Sequence, residues 1–567
     1  MDKFFRFSYK PVLTGFVATL CLASSLEIAA SPTIVVDGGT VTNQSSGGVP
    51  FFAEQIGYLS TGAYNLSGGT NTGDIGLSLL TLGDRASGIG IYNLSSTGVL
   101  SAYREIIGFL GKGTFTQTGG TNTITSLLSI GENLANSSSY DLSGGALSSF
   151  NENVGYSGTG SFSHTGGSNT LSNKLVLGNT SNGNGSYTLA NTGTLSVGVD
   201  EIIGDAGIGQ FIQTGGTNTV TRGLVLGNTS NGSGNYTLSN SAVLSTDSET
   251  VGFNGSSSFT QLGGINTVSR GLWLGVNGGT NGSYRLDGGT LSTANENFGE
   301  FGSGTFTHTA GTHTVTNDLS IGSGSTGSGH YDLSGTGDLT AGIEYIGKFG
   351  TGVFIQRAGS NTVTNVLSVG EKSMATGSYV LDGGMLSAIR NEHIGTSGTG
   401  TFIQTGGTNT VGANLILGSN VSSTGSYDLS GGTLSALHEI IGYDGDGSFT
   451  QTFMPTTISG GSIPGNNPPP GSLPPPGITN TVAGDLTLGQ TSGSRGRYDL
   501  SGSNILSVGG DEIIGFSGTG SFSQTDGSHS IAGGLSLGFF NAGSNGSYNL
   551  SGTMAMSELA SLHTPAA

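Results

Sequence analysis

Across most of the chain, apolar and polar residues alternate in short bursts. In GSYDLSGGTLSALHEIIG (425–442), Tyr427 and Leu429 alternate with Asp428 and Ser430. Period-two alternation marks a strand with one buried face. Gly-Gly, Gly-x-Gly and Asn-Gly clusters interrupt the bursts every six to ten residues, as corners do. No sustained helical period stands out beyond the first thirty residues and the C-terminal tail. The pattern predicts many short strands joined by tight glycine turns.

The strands recur on a fixed period. Tyrosines at 92, 140, 187, 236, 284, 331, 379 and 427 lie 47 to 49 residues apart, with phenylalanines at 115, 162, 211, 259, 306, 354, 402 and 449 between them. The Phe half, as in GTFIQTGGTNTVGANLILG (400–418), follows the plan of the Tyr half: aromatic, Leu or Gln, a glycine pair, then apolar-Gly. The unit is therefore about 24 residues, paired into repeats of about 48. YNLSGGTNTGDIGLSLLTLG (64–83) begins as a Tyr half and ends as a Phe half, which requires the halves to occupy equivalent places. Counting aromatic starts gives 20 units, with a degenerate one in front built from IVVDGGTVT (34–42) and AEQIG (53–57).

Short strands, glycine corners and a 24-residue period predict an all-β fold, a parallel β-helix (β-solenoid) of about 20 coils. One coil buries too few apolar side chains to offset its own ordering entropy, so stacking must supply the rest. A β-propeller of 48-residue blades would need nine or more blades, beyond the usual four to eight, and the hybrid unit would break its closure.

Stacking turns each repeat position into a column. The aromatic column reads as core. Leu142 corresponds to Gln117 in the preceding half and Leu147 to Asn122, while Glu105, Glu152, Glu201, Glu249, Glu296, Glu344, Glu392, Glu439 and Glu512 alternate with leucines from Leu128 to Leu535. Like residues then lie two coils apart, about 9.6 Å by the sheet spacing, too far for an amide ladder. The expectation is that each inward Asn or Glu is satisfied by backbone at its own corner. The Glu column reads as capping corner N–H groups, with a row of cation sites as the sharper alternative.

Composition narrows the class. Of 567 residues 107 are glycine and only 9% are charged. Lys3, Arg6 and Lys10, the apolar stretch 12–26 and IAA ending at Ala30 form a secretory signal pattern over 1–30. The single cysteine, Cys21, lies within it, so the exported chain is expected to be cysteine-free. No later segment is apolar enough for a transmembrane span in the mature chain. A formal net charge of −19 disfavours nucleic acid and anionic membrane, leaving cations, glycans and surface proteins as partners.

Candidate chemistry is sparse. Arg222, Arg270, Arg285 and Arg357 read as scattered over different repeat positions, whereas a polysaccharide lyase or hydrolase needs acids and bases converging on one face. His164 and His308 stand where Gln recurs, His313 and His529 where Asn recurs, and DGDG (444–447) replaces the turn SGTG. No catalytic, cofactor-binding or metal-binding residue is assigned, and no cofactor is expected.

With its export signal and units such as GTFIQTGGTNTV and GSYDLSGGTLS, the chain over 31–552 resembles bacterial surface repeat proteins, in particular autotransporter passenger regions and related secreted β-helical adhesins. That resemblance implies a right-handed solenoid on or outside the cell, secreted or on the outer-membrane exterior, with an adhesive or matrix-forming role. Autotransporters end in a membrane β-barrel, whereas YNLSGTMAMSELASLHTPAA (548–567) carries no such pattern. The reading therefore expects truncation, release, end-to-end self-association or a separate outer-membrane translocator.

The expected organisation is a signal peptide (1–30), a degenerate first coil or N-terminal cap (31–63), coils (64–452), a Pro-rich insertion (453–478), further coils (479–552) and a tail (553–567). Within the tail, 554–562 is expected to form a short capping helix. The insertion separates FTQT from TNTV, two sides of one corner, and its prolines favour a stiff extended spur.

Overall fold

A computed structural model describes residues 33–73, 76–134, 137–452, 478–540, 543–551, 555–556 and 561–563. The signal pattern and the insertion's residues 453–477 lie outside the described residues. Every strand pairing is parallel, and no helix occurs among the described residues. None is therefore long and apolar enough to cross a membrane.

Each coil has three strands. In one of them these are Asn184–Leu189, Thr194–Val197 and Asp200–Ile203, and each pairs with the same strand of the coils on either side. In places the second and third strands merge around a bulge, as in Thr217–Leu226. The chain is a β-solenoid of about 20 turns, as the period predicts.

Inward side chains fill one continuous core. The aromatic column runs from Tyr64 to Tyr548 with ring centroids 4.5–5.2 Å apart and planes within 12° of parallel. At one sheet spacing per coil, twenty rings set a rod of about 90 Å. Glycine makes the corners close. Gly204, which follows a third strand, has φ +73°, and a Cβ there would lie 2.3 Å from the carbonyl oxygen of Ser233, at the start of the coil after next. That position admits neither a side chain nor the usual left-handed penalty of an L-residue.

Three boundaries differ from the sequence reading. Thr33–Val36 stacks on Ala53–Ile56, which makes it a third strand, and Thr42 rather than a residue of IVV pairs with Tyr64 in the aromatic column. Ile478 is core rather than insertion: it is 4% exposed, and its carbonyl accepts from Gln451 Nε2 at 3.1 Å as the second glycine of a corner does elsewhere. Asn504 of the following coil seals the same place, donating to the Gln451 carbonyl and accepting from the Ile478 N–H. In the tail, Ala555–Met556 and Ser561–His563 are strands paired with the preceding coil rather than parts of a helix. An open coil end offers unpaired backbone groups that further strands satisfy.

Candidate functional site: an interior carboxyl column and a recessed outer strip

From Glu54 to Leu535 every place in the inward column of the third strand is Glu or Leu, in strict alternation, with Ile34 before it and Leu562 after it; the structure adds Glu54 and Leu80 to the series read from the sequence. All ten glutamates are fully buried. They do not cap corner N–H groups. Glu105 Oε2 accepts instead from Nδ2 of Asn122 in the next coil, and eight copies of this bond span 2.8–3.2 Å. The same Nδ2 reaches the tyrosine hydroxyl of the coil after that, at 3.1–3.4 Å. The hydroxyl in turn donates to a glutamine, Tyr140 to Gln117 Oε1 at 2.5 Å, and Gln117 Nε2 donates to the Gly120 and Ala146 carbonyls. The backbone partner at its own corner expected of Asn and Glu is found for the glutamine instead. Glu and Asn find their partners across coils, because three strands of three successive coils point into the same interior.

The histidines take over these tasks. His164 and His308 replace Gln and meet Tyr187 and Tyr331, whereas His313 replaces Asn and sits 2.8 Å from Glu296. His529 lies 3.0 Å from Glu512. Burial pushes His164 and His308 down to about 4, so both are neutral in the fold at ordinary pH.

Burial pushes Glu105, Glu201, Glu344 and Glu439 up to about 8, and Glu54, Glu152, Glu249 and Glu392 to about 7, with the Asn contact opposing it. In six copies, including Glu105 with Asn122 and Glu201 with Asn218, both the second carboxyl oxygen and Asn Oδ1 have no partner. Those orphaned acceptors belong to groups already joined by one hydrogen bond. Both oxygens are acceptors without a donor, and a protonated carboxyl group supplies a donor, so the neutral acid suits the site better than the carboxylate. Glu152 and Glu249 differ because Ser149 and Thr246 donate to Oε1. With ten of 35 acidic residues inside, the formal charge of −19 overstates the charge on the exterior. Among the described residues no group of three His, Cys, Asp or Glu side chains is arranged to hold a metal ion.

The outward column of the same strand is different. Between the Glu/Leu place and the next inward apolar residue stand Thr250, Trp273, Asn297, Ser320, Tyr345, Ser368 and His393 in consecutive coils. Outward residues of the second strand, such as Thr217, Thr219 and Thr433, are exposed, but from Gln55 to Ser536 none in this third-strand column is; Val35, in the outermost strand at the front, is exposed. Ser129 and Ser320 are at most 1% exposed although they face outward. The turns after each apolar-Gly, carrying Phe253, Val276 and Glu300, rise on one side, and residues such as Asn295 and Asp318 rise on the other. Four concavities of the described surface all open on this strip.

Basic residues border it. Arg222 and Arg270 are not scattered: both sit at the bend before the third strand, two coils apart, held by Asp200 and Asp247. Lys174 also meets Asp200, Arg104 meets Glu132, and Lys348 meets Asp318. Arg285 and Arg357 lie apart, the first on the outer face of a first strand and the second just past the end of one, with Asp287 and Asp332. Sequence reasoning missed the strip because its members share no residue type, and the only available signal was their position one residue after the Glu/Leu place. Compared with known proteins, the chain matches no protein-family model, no curated protein and no solved structure.

Proposed function

We propose that this chain is an exported, non-enzymatic β-solenoid with a structural or adhesive role at the bacterial cell surface or in the extracellular matrix, in the manner of autotransporter passengers and secreted β-helical adhesins. The observation carrying this reading is the contrast between a uniform interior over some twenty coils and one recessed outer strip whose residues change from coil to coil. A long, stiff core with a variable strip suits display and attachment. The strip's carboxylates support the non-enzymatic side of the reading. Asp200, Asp318 and Glu371 each face a cation, whereas glycan hydrolysis needs two carboxyl groups facing one bond. The basic, then apolar, then small-residue order of 1–30 supports export.

Cell fractionation with intact-mass analysis tests this reading. The expected result is a chain lacking about thirty residues, recovered outside the cytoplasm, whose deletion weakens attachment or matrix cohesion. Confinement to the cytoplasm overturns it, as does depolymerisation of a neutral or acidic polysaccharide by the purified protein.

A further inference from the structure

The chain's only tryptophan, Trp273, lies on the floor of the recessed strip. Its ring lies against the strand rather than standing off it. A Cβ at Gly271 would be 2.7 Å from the indole Cη2, so the absence of a side chain there lets the ring lie flat. One concavity beside it is lined by Arg270, Asn295, Asn297, Asp318 and Lys348, and the other, past Phe253 and Val276, is largely apolar.

The polar groups have a mixed character. Arg270 and Lys348 are already balanced by Asp247 at 3.3 Å and Asp318 at 3.5 Å. Glu300, on the far side of Trp273, is the one carboxylate there without an ion pair among the described residues, so the site offers no positive charge to an acidic ligand. Among the described residues neither the Trp273 indole N–H nor the Asn297 amide has a hydrogen-bond partner. An amide both donates and accepts, as sugar hydroxyls do, and a flat aromatic face takes the apolar face of a ring. A partly apolar cleft with a few unengaged polar groups is the usual form of a small-molecule site.

We propose that the strip around Trp273 binds a neutral polysaccharide chain laid along the rod axis, with one sugar stacked on the indole and its hydroxyls met by Asn297 and the flanking ion pairs. This rests on the adhesive reading above and names the ligand class for it. Neighbouring coils repeat at about 4.8 Å along the axis, so a linear polymer meets the floor residues of several coils in succession.

Because Trp273 is the chain's only indole, its fluorescence reports this site directly. The full chain is titrated with neutral β-linked hexamers of glucose, xylose and N-acetylglucosamine, and with an acidic oligogalacturonate. The expected result is a saturable change with at least one neutral hexamer, weakened tenfold or more in Asn297→Ala. Trp273→Phe, followed by calorimetry, should weaken binding by a smaller factor because it keeps a ring. Circular dichroism checks that both variants fold. No response to any neutral hexamer, a response to the acidic oligomer alone, or one unchanged in Asn297→Ala overturns the proposal. If surface attachment persists without a response, the inference fails and the adhesive reading stands; a cytoplasmic location removes the adhesive reading by itself.

Discussion

On the third strand of each coil, two neighbouring columns obey opposite rules. The inward one alternates Glu and Leu from Glu54 to Leu535 without exception, while the outward one, a single residue further on, runs Thr250, Trp273, Asn297, Ser320, Tyr345 and Ser368. An inward residue must fit the coils above and below as well as its own, and Glu201 is met by Asn218 from the next coil in a fully buried site. A smaller or apolar residue there leaves a cavity or an unpaired asparagine. An outward residue answers only to its flanks and to what lies in the groove. The difference separates residues that make the rod from residues free to serve what the rod holds.

The strongest way to test this division is pH. Eight interior carboxyls are raised from an ordinary 4.5 to about 7 or 8 in the fold. The folded chain therefore binds more protons than the unfolded chain between those values, and stability falls as pH rises through that window. Each site contributes on the order of a few kcal/mol. Thermal unfolding followed from pH 5 to 9 should show a midpoint that falls steadily, less steeply in Glu201→Gln, whose amide supplies the missing donor to Asn218. A midpoint that is flat or rises means the column is ionised in the fold.

Next in size is a paired substitution. Phe211→Ala opens a gap in the ring stack and should cost about 3–5 kcal/mol, read as faster local hydrogen exchange in its own and adjacent coils. Tyr345→Ser on the strip floor should change stability by about 1 kcal/mol or less. Equal costs would erase the distinction between the two columns.

A smaller effect concerns His164, held near 4 by burial. Its contribution is present above the ordinary histidine value and lost as pH falls toward 4, opposite in sign to the glutamates. His164→Gln should raise the acid-side midpoint by a degree or two and leave pH 8 unaffected. The smallest effect belongs to the insertion. Replacing 453–477 with one glycine gives Thr452–Gly–Ile478, the same length as the corner Thr214–Gly215–Gly216 with Ile478 kept in the second place, and should leave the unfolding midpoint unchanged within error. A large loss would mean that Ile478 and Asn504 do not close the corner alone.

The period, the strand alternation and the parity of each column were legible in the sequence because they follow from backbone geometry and side-chain polarity. The meeting of Glu105 with Asn122, and of Asn122 with Tyr140, was not. Those partners lie 17 and 18 residues apart on different strands of successive coils, and only the turn angles decide which columns converge. The depth of the outer strip was hidden for a related reason, since it depends on how far the turns rise beside it. At the front, Thr33–Val36 had the composition of a first strand, and its place was set by pairing with Ala53–Ile56 rather than by its residues.

The two-coil alternation also governs how such a rod can change length. Removing one coil would bring a pair of glutamates or a pair of leucines into register and strand an asparagine without its acid, so growth or loss is free of that conflict only in steps of two. The coil at 64–83 shows the form an exception takes. There Tyr64 lies against Tyr92 and Leu66 against Leu94, breaking alternation on the first strand, while Asn71 still faces Leu100 and Leu80 still separates Glu54 from Glu105. Tyr92 consequently has Asn71 but no glutamine beside its hydroxyl. A phase slip is thus tolerated on one side of the prism at the loss of one hydrogen bond, provided the other two sides keep count.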